Sequence, residues 1–193
     1  MVMIHSEVKL MADINKITKV ISKVLEIVFI AGAIGMVVMG IVCLFVDLPE
    51  GTITDRSMIN NCGMVISAVG LSTDKAAEVL GVGYLFSAVI YALLALIFRN
   101  VFLIVKTAEG GTWFSKGKTP FQEDNVRMVR EIGIFSIAIF LVGFVATCVV
   151  SFMAEDVETS NNLFMLIIGV LAICLSKMFE YGKELQEAED GLI

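Results

Sequence analysis

The sequence predicts an all-α membrane protein: a four-helix transmembrane bundle whose helices extend into the cytoplasm, with both termini on that side. Three observations carry this expectation. The 193-residue chain is 58% hydrophobic, with a mean hydropathy of +0.89, against about 45–50% apolar residues in an ordinary soluble domain even with Gly included. The apolar residues gather into four long runs, 25–46, 79–98, 132–153 and 163–179, and the first three reach the ~20 residues that carry a helix across ~30 Å of hydrocarbon. The Lys and Arg residues fall almost entirely on one set of connections, as cytoplasmic segments require.

Ahead of the first run, Leu10, Ile14, Ile17, Ile21 and Val24 recur at three- and four-residue spacing, with Lys16, Lys19 and Lys23 between them. Residues 10–24 therefore predict an interfacial amphipathic helix lying on the inner leaflet. It serves either as a basic stop that orients the first span or as a lipid or protein contact. A cleaved signal peptide is not expected, since its apolar region is about 7–15 residues long and ends in a small-residue site. The run 25–46 is longer and offers no such site before Asp47.

Residues 47–78 form an outer loop and the start of the second helix. A polar stretch, Thr52 to Cys62, precedes the apolar Met64 to Val69. Loops this long are uncommon unless ordered or used, so this one either caps the bundle with one short helix or presents a surface to a ligand. Ser72 is suited to be an N-cap and Asp74 to the first turn. The second span, 79–98, continues past Arg99 and Asn100 into a cytoplasmic segment, 99–131. Its helix is expected to break at Gly110 and Gly111, with Trp113 and Phe114 as interfacial anchors.

The next helix has a strong start signal: Thr119 as N-cap, Pro120 at the first position, Gln122 completing a capping box, and Glu123 and Asp124 in the first turn. It bears the i,i+4 pairs Glu123/Arg127 and Arg127/Glu131 and enters the span 132–153 without a breaker. An outer loop, 154–162, leads to the span 163–179, whose shortness is relieved if Lys177 and Lys183 snorkel. The tail 180–193 continues as helix towards Gly191. It is acidic where the middle segment is basic, so the two are expected to dock through Arg127 and Arg130.

Four crossings leave only Arg56 and Lys75 outside and the other 12 of 14 basic residues inside. The outer parts then carry 2 − 8 = −6 and the cytoplasmic parts 12 − 12 = 0, so the whole formal net charge is extracytoplasmic. Neither side offers the basic surface that duplex nucleic acid requires, which argues against direct nucleic-acid binding.

Chemistry is sparse. His5 is the single histidine and stands near the N-terminus, leaving no His-based triad or general base. Cys43, Cys62, Cys148 and Cys174 lack metal or redox spacing; Cys62 is expected to be a free thiol, the alternative being a bond to Cys43 or Cys148. The spans carry no charge at their middles, which disfavours coupled transport, and Gly32, Gly35, Gly40, Gly81, Gly83, Gly143 and Gly169 suit close helix packing or helix ends. No cofactor, no metal and no enzymatic activity are expected.

Two segments are distinctive: Thr119-Pro120-Phe121-Gln122-Glu123-Asp124-Asn125-Val126-Arg127 leading into Glu131-Ile132-Gly133, and Phe179-Glu180-Tyr181-Gly182-Lys183-Glu184-Leu185-Gln186-Glu187 with Asp190. Together they resemble a family of bacterial four-helix integral membrane proteins catalogued as a domain of unknown function. In that family a Pro-Phe, acid, Asn and basic pattern opens the third helix; Gly191-Leu192-Ile193 departs from its usual apolar and threonine ending. Members are often encoded beside a small helix-turn-helix regulator. The resemblance implies a bacterial inner-membrane protein that binds or restrains a cytoplasmic transcription regulator, with Asn125, Arg127, Arg130, Glu131, Glu184 and Glu187 as candidate contacts. These residues either recognise the partner or hold the cytoplasmic helices together. A small transporter, export or self-immunity protein is the rival expectation, for which pore-facing Ser87, Ser136 and Thr147 would matter.

Overall fold

The computed structural model describes residues 2–46, 58–62, 64–68, 71–109, 122–154 and 157–190. It is an all-α fold of four helices, each long and apolar enough to cross a membrane. They are α1 Val2–Phe45, α2 Thr73–Ala108, α3 Glu123–Met153 and α4 Phe164–Asp190. At 1.5 Å per residue the shortest, α4, is about 40 Å long and α1 about 66 Å, so every helix exceeds a ~30 Å hydrocarbon layer. The helices pack in chain order, α1 on α2, α2 on α3 and α3 on α4. The start of α1, the end of α2, the start of α3 and the end of α4 lie at one end, called here the terminal end.

The other end carries a feature the sequence reading does not contain. The described residues of the 47–78 segment include two strands, β1 Met58–Asn61 and β2 Met64–Ser67, and the α3–α4 connection supplies β3 Glu158–Asn161. They form an antiparallel sheet in the order β1-β2-β3, with Ile59 opposite Ile66 and Ile66 opposite Thr159. Ile59, Met64 and Ile66 are buried. Alternation puts them on one face, and that face closes the core formed with Val79, Leu80, Ile139, Ala146 and Val150.

Other expectations are corrected locally. Residues 10–24 are no separate interfacial helix: α1 is continuous from Val2 to Phe45, because nothing in 13–25 breaks a helix and Lys19 is tied to Glu109 at the end of α2. α3 begins at Glu123, flanked by Gln122, whose side chain makes no capping hydrogen bond; Thr119 and Pro120 lie outside the described residues, as do Gly110, Gly111, Trp113, Phe114 and Gly191. Ser72 does occupy the N-cap of α2, but through its carbonyl, which accepts from Ala76 N–H at 2.8 Å, and without a side-chain bond.

Glycines set how closely neighbouring helices approach. A methyl group on Gly133 would lie 2.8 Å from the Gly169 carbonyl oxygen, and one on Gly169 would lie 2.8 Å from the Gly133 carbonyl oxygen. The α3 and α4 backbones are therefore in direct contact there. Gly40 and Gly81 do the same for α1 and α2, where Leu85 and Leu44 fill the space. Gly83 and Gly143 instead receive the sheet, through Ile59 and Ile66 on one and Asn161 and Met64 on the other. Gly35, expected among the packing glycines, has nothing within 4 Å.

Overpacking a close contact destabilises by about 1–3 kcal/mol, so Gly169→Leu should lower the unfolding midpoint in detergent markedly. Ser136→Ala removes a hydroxyl bonded only to its own helix and should change the midpoint little. Equal midpoints for the two variants would refute the backbone contact.

Candidate functional site at the terminal end

The terminal end holds the candidate residues and is built by polar ties across each neighbouring helix pair, two of them between α3 and α4. Lys19 of α1 pairs with Glu109 of α2. Asn100 of α2, itself buried, donates from Nδ2 to Glu131 Oε2 of α3 at 3.0 Å. Arg130 of α3 reaches Glu180 of α4 at 3.5 Å, and Glu123 reaches Lys183 at 3.6 Å. Shared in this way, α3 is the hub: its first three turns touch both neighbours.

The predicted docking of the tail on the middle segment thus has a physical form, with one correction. Arg127 does not take part; its Nε lies 3.4 Å from Glu131 Oε1 on its own helix, and its side chain is 65% exposed. The reason is angular: Arg130 is three residues further on, about 60° short of a full turn at 100° per residue, and it faces α4 whereas Arg127 faces outward. One tie also has the opposite sense, an acid on α3 and a base on the tail. Lys177 and Arg130 share the Glu180 carboxylate, Lys177 at 2.7 Å.

The remaining candidates separate into two kinds. Asn125 is 1% exposed and therefore belongs to the packing of α3 against its neighbours. Glu184 and Glu187 are exposed, the latter 3.6 Å from Lys183. Arg127, Glu184 and Glu187 are thus the members of the set that present charge outward.

Beside this cluster, α1 and α2 enclose a groove of about 340 Å³ walled by Ala33, Ala92 and Ala95 and flanked by Glu26 and Arg99. Glu26 is almost buried and pairs with Lys23 at 2.9 Å; the Lys23 ammonium also lies 5.5 Å from the Phe102 ring centroid, within cation–π range. Phe29 stacks on Phe98 and meets Tyr91 edge-on, a contact that composition alone does not reveal.

The hydroxyls considered for a pore are occupied. Ser136 Oγ donates to the Ile132 carbonyl and Thr147 Oγ1 to the Gly143 carbonyl, both at 2.8 Å. Ser87 donates to the Gly83 carbonyl at 2.8 Å and accepts from Asn61 of the sheet. Each hydroxyl bonds back to the carbonyl four residues earlier in its own helix, as mid-helix Ser and Thr commonly do. The four cysteines are free thiols, with Cys62 exposed at the sheet end.

An exposed ion pair is worth about 0.2–1 kcal/mol. Arg130→Glu should therefore raise the protease sensitivity of 180–190 several-fold, and adding Glu180→Arg should restore protection. Arg127→Glu should leave the tail protected; a tail freed equally by both single variants would show that Arg130 is not the tie. Comparisons with protein-family models, characterised proteins and solved structures return no match to this chain.

Proposed function

We propose that the chain is a non-enzymatic bacterial inner-membrane protein, with both termini cytoplasmic, that binds or restrains a cytoplasmic helix-turn-helix regulator through the terminal end. The observation that carries the reading is the split between the two parts of the molecule. The hydroxyls of the helical interior are used by their own helices, whereas Arg127, Glu184 and Glu187 present outward charge from the helix extensions. The resemblance of these same segments to the four-helix family supplies the class of partner. A transport or export role draws less support, because it needs polar groups available along a path through the interior.

Orientation draws support from charge. Lys19, Lys23, Arg99, Lys106, Arg127, Arg130 and Lys183 all stand in the terminal halves of their helices, and Lys75 is at the sheet end. A bilayer placed over the apolar lengths then keeps the basic side inside.

Two measurements test this reading. The full chain, purified from its membranes in mild detergent, should carry a helix-turn-helix protein with it, and the Glu184→Lys/Glu187→Lys variant should carry several-fold less. Recovery of no such protein, or equal recovery by both, refutes the partner surface. Separately, a membrane-impermeant maleimide on intact cells should label the wild-type chain but not Cys62→Ser; labelling that requires permeabilised cells would invert the topology.

A further inference from the structure

α1 carries a seam that the described residues leave uncovered. Ile14, Ile17, Ile21, Val24, Val28, Ala31, Gly35 and Val38 follow one another at alternating three- and four-residue spacing, the a and d positions of a heptad repeat sustained over 25 residues. All eight are exposed; the six branched side chains among them are 52–58% exposed. The side facing α2 is a different one. Ser22, Glu26, Gly40 and Cys43 are buried there, and Phe29 meets Tyr91 and Phe98. On a heptad wheel these residues take b and f positions, across the helix from a and d.

Lipid accounts for only part of the seam. α1 runs about 18 Å from Glu26 down to Ile14, alongside the end of α2 that bears Lys106 and Glu109, to which Lys19 is tied. This stretch leaves the hydrocarbon, yet Ile14, Ile17 and Ile21 stay more than half exposed. From Ile14 to Val38 no charged residue stands at an a, d, e or g position; the flanks are Thr18, Val20, Leu25, Ile27, Gly32, Ile34 and Met39. Of these flanks Val20, Ile27 and Ile34 are 57–62% exposed, whereas Gly32 lies against Tyr91 of α2, so the uncovered apolar face joins the seam to the side that bears Val20, Ile27 and Ile34.

We infer that this face binds the same face of a second copy, so that α1 helices of neighbouring chains pack in parallel, with Gly35 against Gly35 where the helices cross. The inference rests on the membrane placement proposed above, which puts all copies in one orientation. Self-pairing sets apolar flank on apolar flank and satisfies the two-sided complementarity of a symmetric oligomer. Docking on a neighbour's α4 is disfavoured by charge. α4 also exposes Ile167, Leu171, Met178, Tyr181 and Leu185, but Lys177, Glu184 and Glu189 flank that stripe and would be brought against Val20 and Ile27 without partners. Gly35 has a clear part in this arrangement: a glycine within a helix is unfavourable, its chain places nothing against it, and close approach of two helices in lipid uses small residues.

The test uses the full-length chain in its native membranes, with the four cysteines replaced and single cysteines introduced. Ile17→Cys, Ile21→Cys and Val28→Cys should form cross-linked dimers at least ten-fold more than Lys16→Cys and Ile30→Cys, which leave the seam. In mild detergent, the chain with its native cysteines should have the mass of two copies, and Gly35→Leu should shift it to a monomer. A monomeric native chain, cross-linking without preference for the seam, or cross-linking of Ile21→Cys only to Met178→Cys overturns the inference. Cys62 labelling reads topology independently, so a failure of self-association is distinguishable from a failure of the membrane placement.

Discussion

The contact of the Gly133 and Gly169 backbones determines how the second half of the molecule is arranged. Between helices in lipid there is no hydrophobic drive to associate, so dispersion contacts and polar ties must hold them. Two glycines facing one another maximise the first, and they also fix the antiparallel register. Each residue earlier on α3 then meets one later on α4, which is how Arg130 comes within 3.5 Å of Glu180 and Glu123 within 3.6 Å of Lys183. Displacing α4 by one turn would shift this register by ~5.4 Å, more than these pairs can follow. α1 and α2 use Gly40 and Gly81 in the same way, and the aromatic group of Phe29, Tyr91 and Phe98 extends the contact downward.

The two ends then restrain the helices by different physics. At the sheet end the links are apolar: Ile59, Met64 and Ile66 leave water and enter the gap between α2 and α3, and Gly83 and Gly143 leave room for them. Two asparagines finish the joint. Asn61 donates to Ser87 on α2, and Asn161 Nδ2 lies 3.4 Å from the Phe140 carbonyl on α3. At the terminal end the links are polar and half-exposed, so each is weak by itself. The sheet end is therefore the tighter joint, while the terminal end is where charges on the helix extensions remain able to exchange partners.

The four helices are legible in the sequence because long apolar runs have one structural solution in lipid: every backbone polar group must be satisfied within the segment. The sheet is not legible for the converse reason. Its strands are four residues long, two of them read Met-Ile-Asn-Asn and Glu-Thr-Ser-Asn, and β3 comes from a connection about a hundred residues after β1. The available signal was the Met64 and Ile66 alternation after Cys62-Gly63, a short hairpin hint. At the candidate site, residue types and sides were legible, but pairing was not. Charge alone ranks Arg127 and Arg130 equally as partners for the tail, and the helix angle separates them. Thr119 and Pro120 lie outside the described residues, and α3 is described from Glu123, where both acids of the first turn face the positive helix end.

Packing in chain order makes the four helices unequal. α2 and α3 each have two neighbours and supply most of the core, including Ile90, Leu94, Ile139, Ala146 and Val150. α1 and α4 each have one, and so each turns most of its circumference outward. Their extensions at the terminal end differ in kind. The α4 tail is dominated by charge, with Glu184 and Glu187 outward, which suits a soluble partner, whereas the corresponding part of α1 presents isoleucine and valine, which suits a matching apolar helix. A surface of the first kind tolerates water when its partner is absent; one of the second does not. The two contacts proposed above, a charged one on the α4 tail and an apolar one on α1, therefore fall on different outer helices and do not compete for the same side of the molecule.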